Sequence, residues 1–377
     1  VTDATAPDRP ITLHLPKRVE YGPGTAARLG EWASGRDRIL VLASRSTAGL
    51  IDRLCLPGKV TLYDEVPAEP DDTALAAVLD RAAGVRPDLV VGLGGGSVMD
   101  LAKLAACLWD GAQPLADVVG PNRVARRLSA LAQVATTAGT GSEAGIRALV
   151  TNSATRAKMA VESPLMLADI AVLDPELTSS VPPAVTAATG IDALAHCVEA
   201  FTSRRAHHLI DGYARAGIAL VGRCLSRAVA DGSDTGARAG MMLASFYGGI
   251  CLGPVNTAAG HAIAYPLGTR LGLPHGLANA IVFPHVLAFN APARAGKTAE
   301  ILAALGLPAS DAPAAVLDHA ARFCRSLGID LRLSSHGTKG ADLPAWAAEA
   351  HAIRRLMDFN PRDMTIADVE AIYRAIL

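Results

Sequence analysis

The chain has 377 residues, half of them hydrophobic but only 4% aromatic, so its core must be built from Ala, Val, Leu and Ile. A formal net charge of -1 gives no electrostatic case for nucleic acid or an anionic membrane as a main partner, and no stretch reaches the roughly 18 consecutive apolar residues of a membrane span. The six cysteines are scattered without a CxxC pair, which speaks against a disulfide framework or a thiolate zinc knot and leads us to expect a reduced, cytoplasmic protein.

The first ten residues, VTDATAPDRP, are polar and contain Pro, which is not the pattern of a secretory leader; Val1 suggests an alternative start codon or processing. RILVLAS (38–44) is a β-rich run, followed by a helical segment over 47–54. KVTLYDEV (59–66) is a second strand, and 72–83 has apolar positions at helical spacing. The strand LVVGL (89–93) feeds a glycine turn and then the helical VMDLAKLAACLW. Strands and helices that alternate, with near-continuous apolar strands, predict a parallel sheet covered on both faces. From about Pro182 the chain becomes Ala-rich and helical by period, with no convincing strand. The expected division is therefore an α/β domain over 1–181 and an all-helical domain over 182–377.

Two clusters in the first half suit a nucleotide. LVVGLGGGSVMDLAK (89–103) puts glycines at the junction of strand and helix, where backbone N–H groups can approach an anion. A tight turn also needs glycine for structural reasons alone, and the spacing fits neither GxGxxG, since residue 97 is Ser, nor a P-loop. ATTAGTGSEAG (135–145) is dense in hydroxyls and glycines, suited to ribose, phosphate or carboxamide, although such a loop is more often ligand-free. Both clusters follow apolar strands, and together they argue for a nucleotide.

The second half offers a different chemistry. In TGIDALAHCVEAF (189–201), Asp192 and His196 lie one turn apart among apolar residues, where an unpaired carboxylate would cost several kcal/mol. His261 and His275 follow in AAGHAIAYPLGTRLGLPHGLANA (258–280). One carboxylate and three imidazoles form a mixed N/O set that suits Fe2+ or Zn2+ and not Mg2+ or Ca2+. Glu199, three residues after His196, could support a ligand but reads more readily as an ordinary buried or surface pair, His207 and His208 as solvated, and His285 as a packed core His.

Taken together, VEYGPGTAARLGE, GLGGGSVMDLAK, TTAGTGSEAG, KMAVESPLMLADIAVLDPELTSSVPP, TGIDALAHCVEAFTS, GHAIAYPLG, LPHGLANAIVFPHVLAFN and MDFNPRDMTIADVEAIYRAIL resemble the iron-containing (group III) alcohol dehydrogenase family, in the family's order and nearly end to end. The resemblance implies a dinucleotide-binding α/β domain, a helical domain and an active site in the cleft between them. It implies Asp192, His196, His261 and His275 as ligands of Fe2+ or Zn2+. Gly94, Gly95, Gly96 and Ser97 would lie at the pyrophosphate of NADP or NAD, with Asp100 nearby. Thr136, Thr137, Thr140, Lys158 and Thr178 would surround ribose, phosphate and nicotinamide. A homodimer is common in the family.

Three positions depart from many relatives. Ser44 and Arg45 stand where an acidic residue would hold the adenosine ribose, and a hydroxyl and a cation suit a 2′-phosphate, which favours NADPH. Tyr265 replaces a His found in some members four residues after the third ligand; it can donate a proton in a catalytic relay or shape the pocket. Arg147 stands where a neutral residue is common and would favour a carboxylate or phosphonate substrate if it faced the cleft. The expected activity is hydride transfer between the nicotinamide and a small aldehyde or alcohol. The competing readings are a maleylacetate reductase-like enzyme, a dehydroquinate-synthase-like lyase and a metal-free binding protein.

Overall fold

A computed structural model describes residues 9–377; residues 1–8, most of the stretch read as not being a leader, lie outside the described residues. The chain forms two compact units. One comprises His14–Pro183 with Ala230–Gly249, and the other the residues up to Leu13 with Ala184–Val229 and Ile250–Leu377.

The first unit contains β1 (Arg18–Tyr21), α1 (Arg28–Trp32), β2 (Arg38–Ala43), β3 (Lys59–Tyr63), α2 (Asp72–Val85), β4 (Leu89–Gly94) and α3 (Gly96–Leu108). It continues with α4 (Leu115–Val118), β5 (Gly120–Pro121), β6 (Ala130–Ala135), β7 (Arg147–Thr151), β8 (Lys158–Glu162) and β9 (Ile170–Leu173). The main sheet has six strands in the order β1-β9-β6-β4-β2-β3, and every pairing is parallel. Successive side chains of a strand point to opposite faces. Leu40, Leu42 and Val90 accordingly join Val78, Leu101 and Leu104 in one buried layer, while Ile39, Val41, Val91 and Leu93 join Leu29 and Leu54 in the other. The expected parallel sheet is therefore present. The segment read as helical over 47–54 is a 3-10 turn, Ala48–Leu54, closed by Cys55 at positive φ. A smaller sheet, β5-β8-β7, was not foreseen; its β7 and β8 form an antiparallel hairpin only half buried, so their apolar pattern is weak.

The loop 136–145 is held from two sides. Lys103, fully buried on α3, donates from Nζ to Ser142 Oγ at 2.6 Å and to the Arg147 carbonyl at 2.7 Å. Asp100, one turn earlier, accepts from Ser142 Oγ at 2.6 Å and from the Leu149 N–H at 2.9 Å. From the other side comes α7 (Thr235–Leu252), most of which belongs to this unit although it lies in the second half of the chain. The Gly141 N–H donates to Ser245 Oγ at 3.1 Å, and a Cβ on Gly249 would stand 2.1 Å from the Gly141 carbonyl oxygen.

The second unit is helical: α5 (Pro183–Thr202), α6 (His208–Ala230), α8 (Ala259–Leu271), α9 (His275–Asn290), α10 (Ala295–Ala304), α11 (Pro313–Ser326), α12 (Leu343–His351), α13 (Arg354–Met357) and α14 (Ile366–Ala375). Few aromatics are needed because helices approach through small residues. A Cβ on Gly222 would stand 2.0 Å from the Ala304 carbonyl oxygen, and one on Gly276 would stand 2.8 Å from that of Ala188. No helix among the described residues is long and apolar enough to cross a membrane.

Two predictions arise from the brace. Gly249→Ala is expected to destabilise the fold by about 1–3 kcal/mol, the usual cost of overpacking, seen as a lower denaturant midpoint at constant slope. The second concerns Glu143, whose buried carboxyl is pushed up to about 7 by burial, with Lys103 opposing. The native state keeps this proton where the unfolded chain releases it, so stability falls as pH rises from the ordinary carboxylate range through 7. Glu143→Gln removes that slope: it should match wild type near pH 4 and exceed it by about 1–3 kcal/mol at pH 8, read from urea melts.

Candidate metal centre and nucleotide cradle

Three helices of the second unit bring four side chains to one point. Asp192 and His196 project from the same face of α5, His261 from the first turn of α8, and His275 opens α9 behind Pro274. Asp192, His196 and His261 are buried, whereas the His275 side chain keeps 26% of its exposure. The Nε2 atoms of His261, His275 and His196 stand 3.6, 3.7 and 3.9 Å from Asp192 Oδ1. These gaps exceed a hydrogen bond. Ligand atoms of a tetrahedral site with bonds of about 2.1 Å would be about 3.4 Å apart, so the spacing is that of groups sharing a cation. The four donor atoms lie within 4.8 Å of one another.

The surroundings orient these donors. Glu199 Oε1 lies 2.7 Å from His261 Nδ1, and its Oε2 accepts from the Ala258 N–H. With Nδ1 engaged, His261 turns Nε2 inward, where it is buried and has no hydrogen-bond partner. Asn279 donates from Nδ2 to Asp192 Oδ1 at 2.6 Å and lies 3.2 Å from His275 Nε2. A Cβ on Gly260 would meet Glu199 Oε1 at 2.6 Å, so glycine makes room for this carboxylate. Burial alone would raise the Asp192 carboxyl, but the imidazoles of His196, His275 and His261 outweigh it and hold the group well below the usual range. Burial pushes His196 down to about 4, against the pull of Asp192, leaving it in the neutral form that offers a lone pair. His261 is buried too, yet Glu199 and Asp192 raise it to about 10.

Sequence reasoning undervalued Glu199, which is buried beside His261 rather than in a routine pair, and missed Asn279. Both carried a signal: Glu199 sits in the same apolar helix as Asp192, and Asn279 lies one turn beyond His275. His207 is buried rather than solvated; its Nδ1 accepts from the Leu209 N–H at the start of α6, while His208 is exposed.

In the first unit, the predicted nucleotide residues collect at the carboxyl ends of neighbouring parallel strands. Ser44 follows β2, Gly95–Ser97 follow β4, Thr136–Thr140 follow β6, and Thr178 lies beyond β9. From β2 the chain goes to β3 on one side, then crosses to β4 on the other, and this reversal is where open α/β sheets take ligands. The glycines also serve packing: a Cβ on Gly94 would meet Val98 at 2.6 Å, on Gly95 would meet Thr137 Oγ1 at 3.0 Å, and on Gly96 would meet Thr140 at 2.8 Å. The two clusters thus touch, and the N-cap of α3, Gly95, offers no side-chain cap. The Thr136 hydroxyl is buried without a hydrogen-bond partner. Other predicted contacts are already engaged. Lys158 pairs with Glu69, Thr178 Oγ1 donates to the Pro175 carbonyl at 2.8 Å, and Ser97 Oγ accepts from the Glu69 N–H at 3.2 Å. Ser44 Oγ lies 2.9 Å from Ser46 Oγ and 3.1 Å from Thr47 Oγ1, beside Arg45, whose guanidinium is 3.7 Å from Glu65. Arg147 pairs with Glu162 across the hairpin at 2.7 Å, so its charge is matched within the sheet. An open concavity lined by Lys17, Arg127 and Asp169 lies at the opposite, amino ends of the strands, away from these loops.

Comparison with known proteins gives a consistent answer. Residues 16–175 match the model of iron-containing alcohol dehydrogenase, and residues 186–377 that of the Fe-containing alcohol dehydrogenase family, C-terminal. Long-chain-alcohol dehydrogenase 1 of Geobacillus thermodenitrificans is 37% identical over 357 residues, 90% of each chain. Sulfoacetaldehyde reductase of Bilophila wadsworthia is 34% identical over 325 residues, 83% of this chain and 84% of the relative. A crystal structure of 1,3-propanediol oxidoreductase superimposes with a TM-score of 0.92 at 31% identity, covering 98% of this chain and 100% of that one. The chain belongs to the iron-containing alcohol dehydrogenase family and is an oxidoreductase of the alcohol dehydrogenase type.

Proposed function

We propose that this oxidoreductase reduces a short aldehyde with NADPH in a metal-dependent reaction, and that the same site accepts aldehydes bearing an anionic group. The observation that carries the reading is the buried Asp192 with three imidazole Nε2 atoms at ligand spacing. The donor set suits Fe2+, with Zn2+ as the alternative. When bound, the metal supplies Lewis acidity toward a carbonyl oxygen and the reduced nicotinamide supplies hydride.

The residues of the chain do the rest. Asp192, His196, His261 and His275 hold the cation, Glu199 fixes the ring of His261, and Asn279 fixes the carboxylate of Asp192. Burial of three of the four ligands keeps bulk water from that side. Tyr265, whose ring centroid is 6.0 Å from that of His275, borders the more exposed ligand, shapes the approach and carries a hydroxyl able to donate a proton. In the first unit, the N–H groups at the start of α3 and the hydroxyls of Thr136, Thr137 and Thr140 would bind the nucleotide phosphates and ribose. Ser44 and Arg45 favour the 2′-phosphate of NADPH. The sulfoacetaldehyde reductase relative supports an anionic substrate. A homodimer is part of the same proposal.

Consumption of NADPH and NADH by an aldehyde panel, with Fe2+, with Zn2+ and after chelation, tests the reading. Metal-dependent oxidation with a higher kcat/KM for NADPH is expected, and Arg45→Ala should lower that ratio about tenfold, the scale of one charge-assisted contact. No turnover of any aldehyde with any metal would overturn the reading. Glu199→Gln is expected to weaken metal affinity about 10–100-fold, as lost orienting partners do, in a chelator-competition titration with unchanged circular dichroism.

A further inference from the structure

The four-residue helix α13 carries two adjacent arginines with different surroundings. Arg354 is committed: it pairs with Asp358 and lies 3.2 Å from His351 Nε2. Arg355 is exposed, and among the described residues its guanidinium reaches a phenol and no carboxylate. Its Nη2 donates to Tyr265 Oη at 3.4 Å, and its Cζ lies 5.8 Å from the centre of the Tyr265 ring. Tyr265 in turn is the neighbour of His275, the ligand that keeps appreciable exposure. A cation without a counter-charge therefore stands one aromatic ring away from the more open side of the metal centre. Arg147, the sequence-based candidate for recognising an anion, is matched by Glu162.

We propose that Arg355 is the specificity-determining residue for an anionic aldehyde, binding a carboxylate, sulfonate or phosphonate group carried a few bonds from the carbonyl; this rests on the reductase reading above. The planar guanidinium offers paired N–H donors to two oxygens of such a group. The guanidinium stands beside the hydroxyl end of Tyr265, with the ring centre at the outer reach of a cation–π contact. The long bond to Tyr265 Oη is weak, so a charged acceptor displaces it at little cost. Neutral aldehydes gain nothing from this contact, and the discrimination appears in binding rather than in the hydride step.

The test uses the full-length, metal-loaded enzyme, with butanal compared against 4-oxobutanoate and sulfoacetaldehyde. Arg355→Gln should raise KM for the anionic aldehydes 10–100-fold more than KM for butanal, with kcat for the anionic aldehydes falling far less, and Arg355→Lys should recover part of the loss. A second readout needs no turnover: calorimetric binding of 2-hydroxyethanesulfonate should weaken by a similar factor in Arg355→Gln and be more salt-sensitive in wild type. Equal effects on neutral and anionic aldehydes would overturn the role of Arg355 while leaving an anionic substrate standing. A wild type that reduces butanal and rejects both anions would overturn the role of Arg355 and the anionic reading together, leaving a dehydrogenase. If no aldehyde is reduced, the reductase reading fails, and the calorimetry decides on Arg355 separately: unchanged binding in the variant overturns it, lost binding supports it.

Discussion

The helical unit is organised around one electrostatic constraint, a carboxylate enclosed by imidazoles in an apolar crossing of three helices. Asp192 cannot be tolerated there without positive partners, and each ring that approaches it needs its own support. Glu199 supports His261, Gly260 gives Glu199 its space, and Asn279 binds the carboxylate from α9. A close crossing at Gly276, where a Cβ would meet the Ala188 carbonyl, brings α9 near enough to α5 for these short side chains to meet. Small residues in the core and polar residues at its centre are thus two parts of one solution.

The sheet unit meets a different demand, holding a loop rich in glycine and hydroxyls in one conformation. The buried ammonium of Lys103 and the carboxylate of Asp100 draw Ser142 and the start of β7 onto α3. Helix α7 closes the other side through backbone contact at Gly249. Buried charge here shapes a surface rather than binding anything itself. The start of α3 and the partly exposed Thr137 and Thr140 can then remain chemically simple.

Much of this was legible in the residues. The near-continuous apolar runs RILVLAS and LVVGL announced a parallel sheet because both faces of each strand are covered, and the Ala-rich period announced helices. The pairing of Asp192 with His196 was legible because a carboxylate and an imidazole one turn apart stand out in an apolar helix. The hairpin β7–β8 was not legible, since its strands are short and half exposed and show little alternation. The partners of Arg147 and Arg355 were out of reach for another reason: surface pairings such as Arg147 with Glu162 depend on strand register, and the approach of Arg355 to Tyr265 joins residues 90 positions apart. Position in sequence says nothing of such distances.

The uneven burial of the four metal-site residues bears on kinetics as well as affinity. Asp192, His196 and His261 are buried within their helices and close the group off from solvent on that side. His275 stands at the first position of its helix, behind Pro274, with part of its ring in solvent. An ion would therefore enter and leave past that ring, and its residence time would be set by the swing of one side chain rather than by opening of the core.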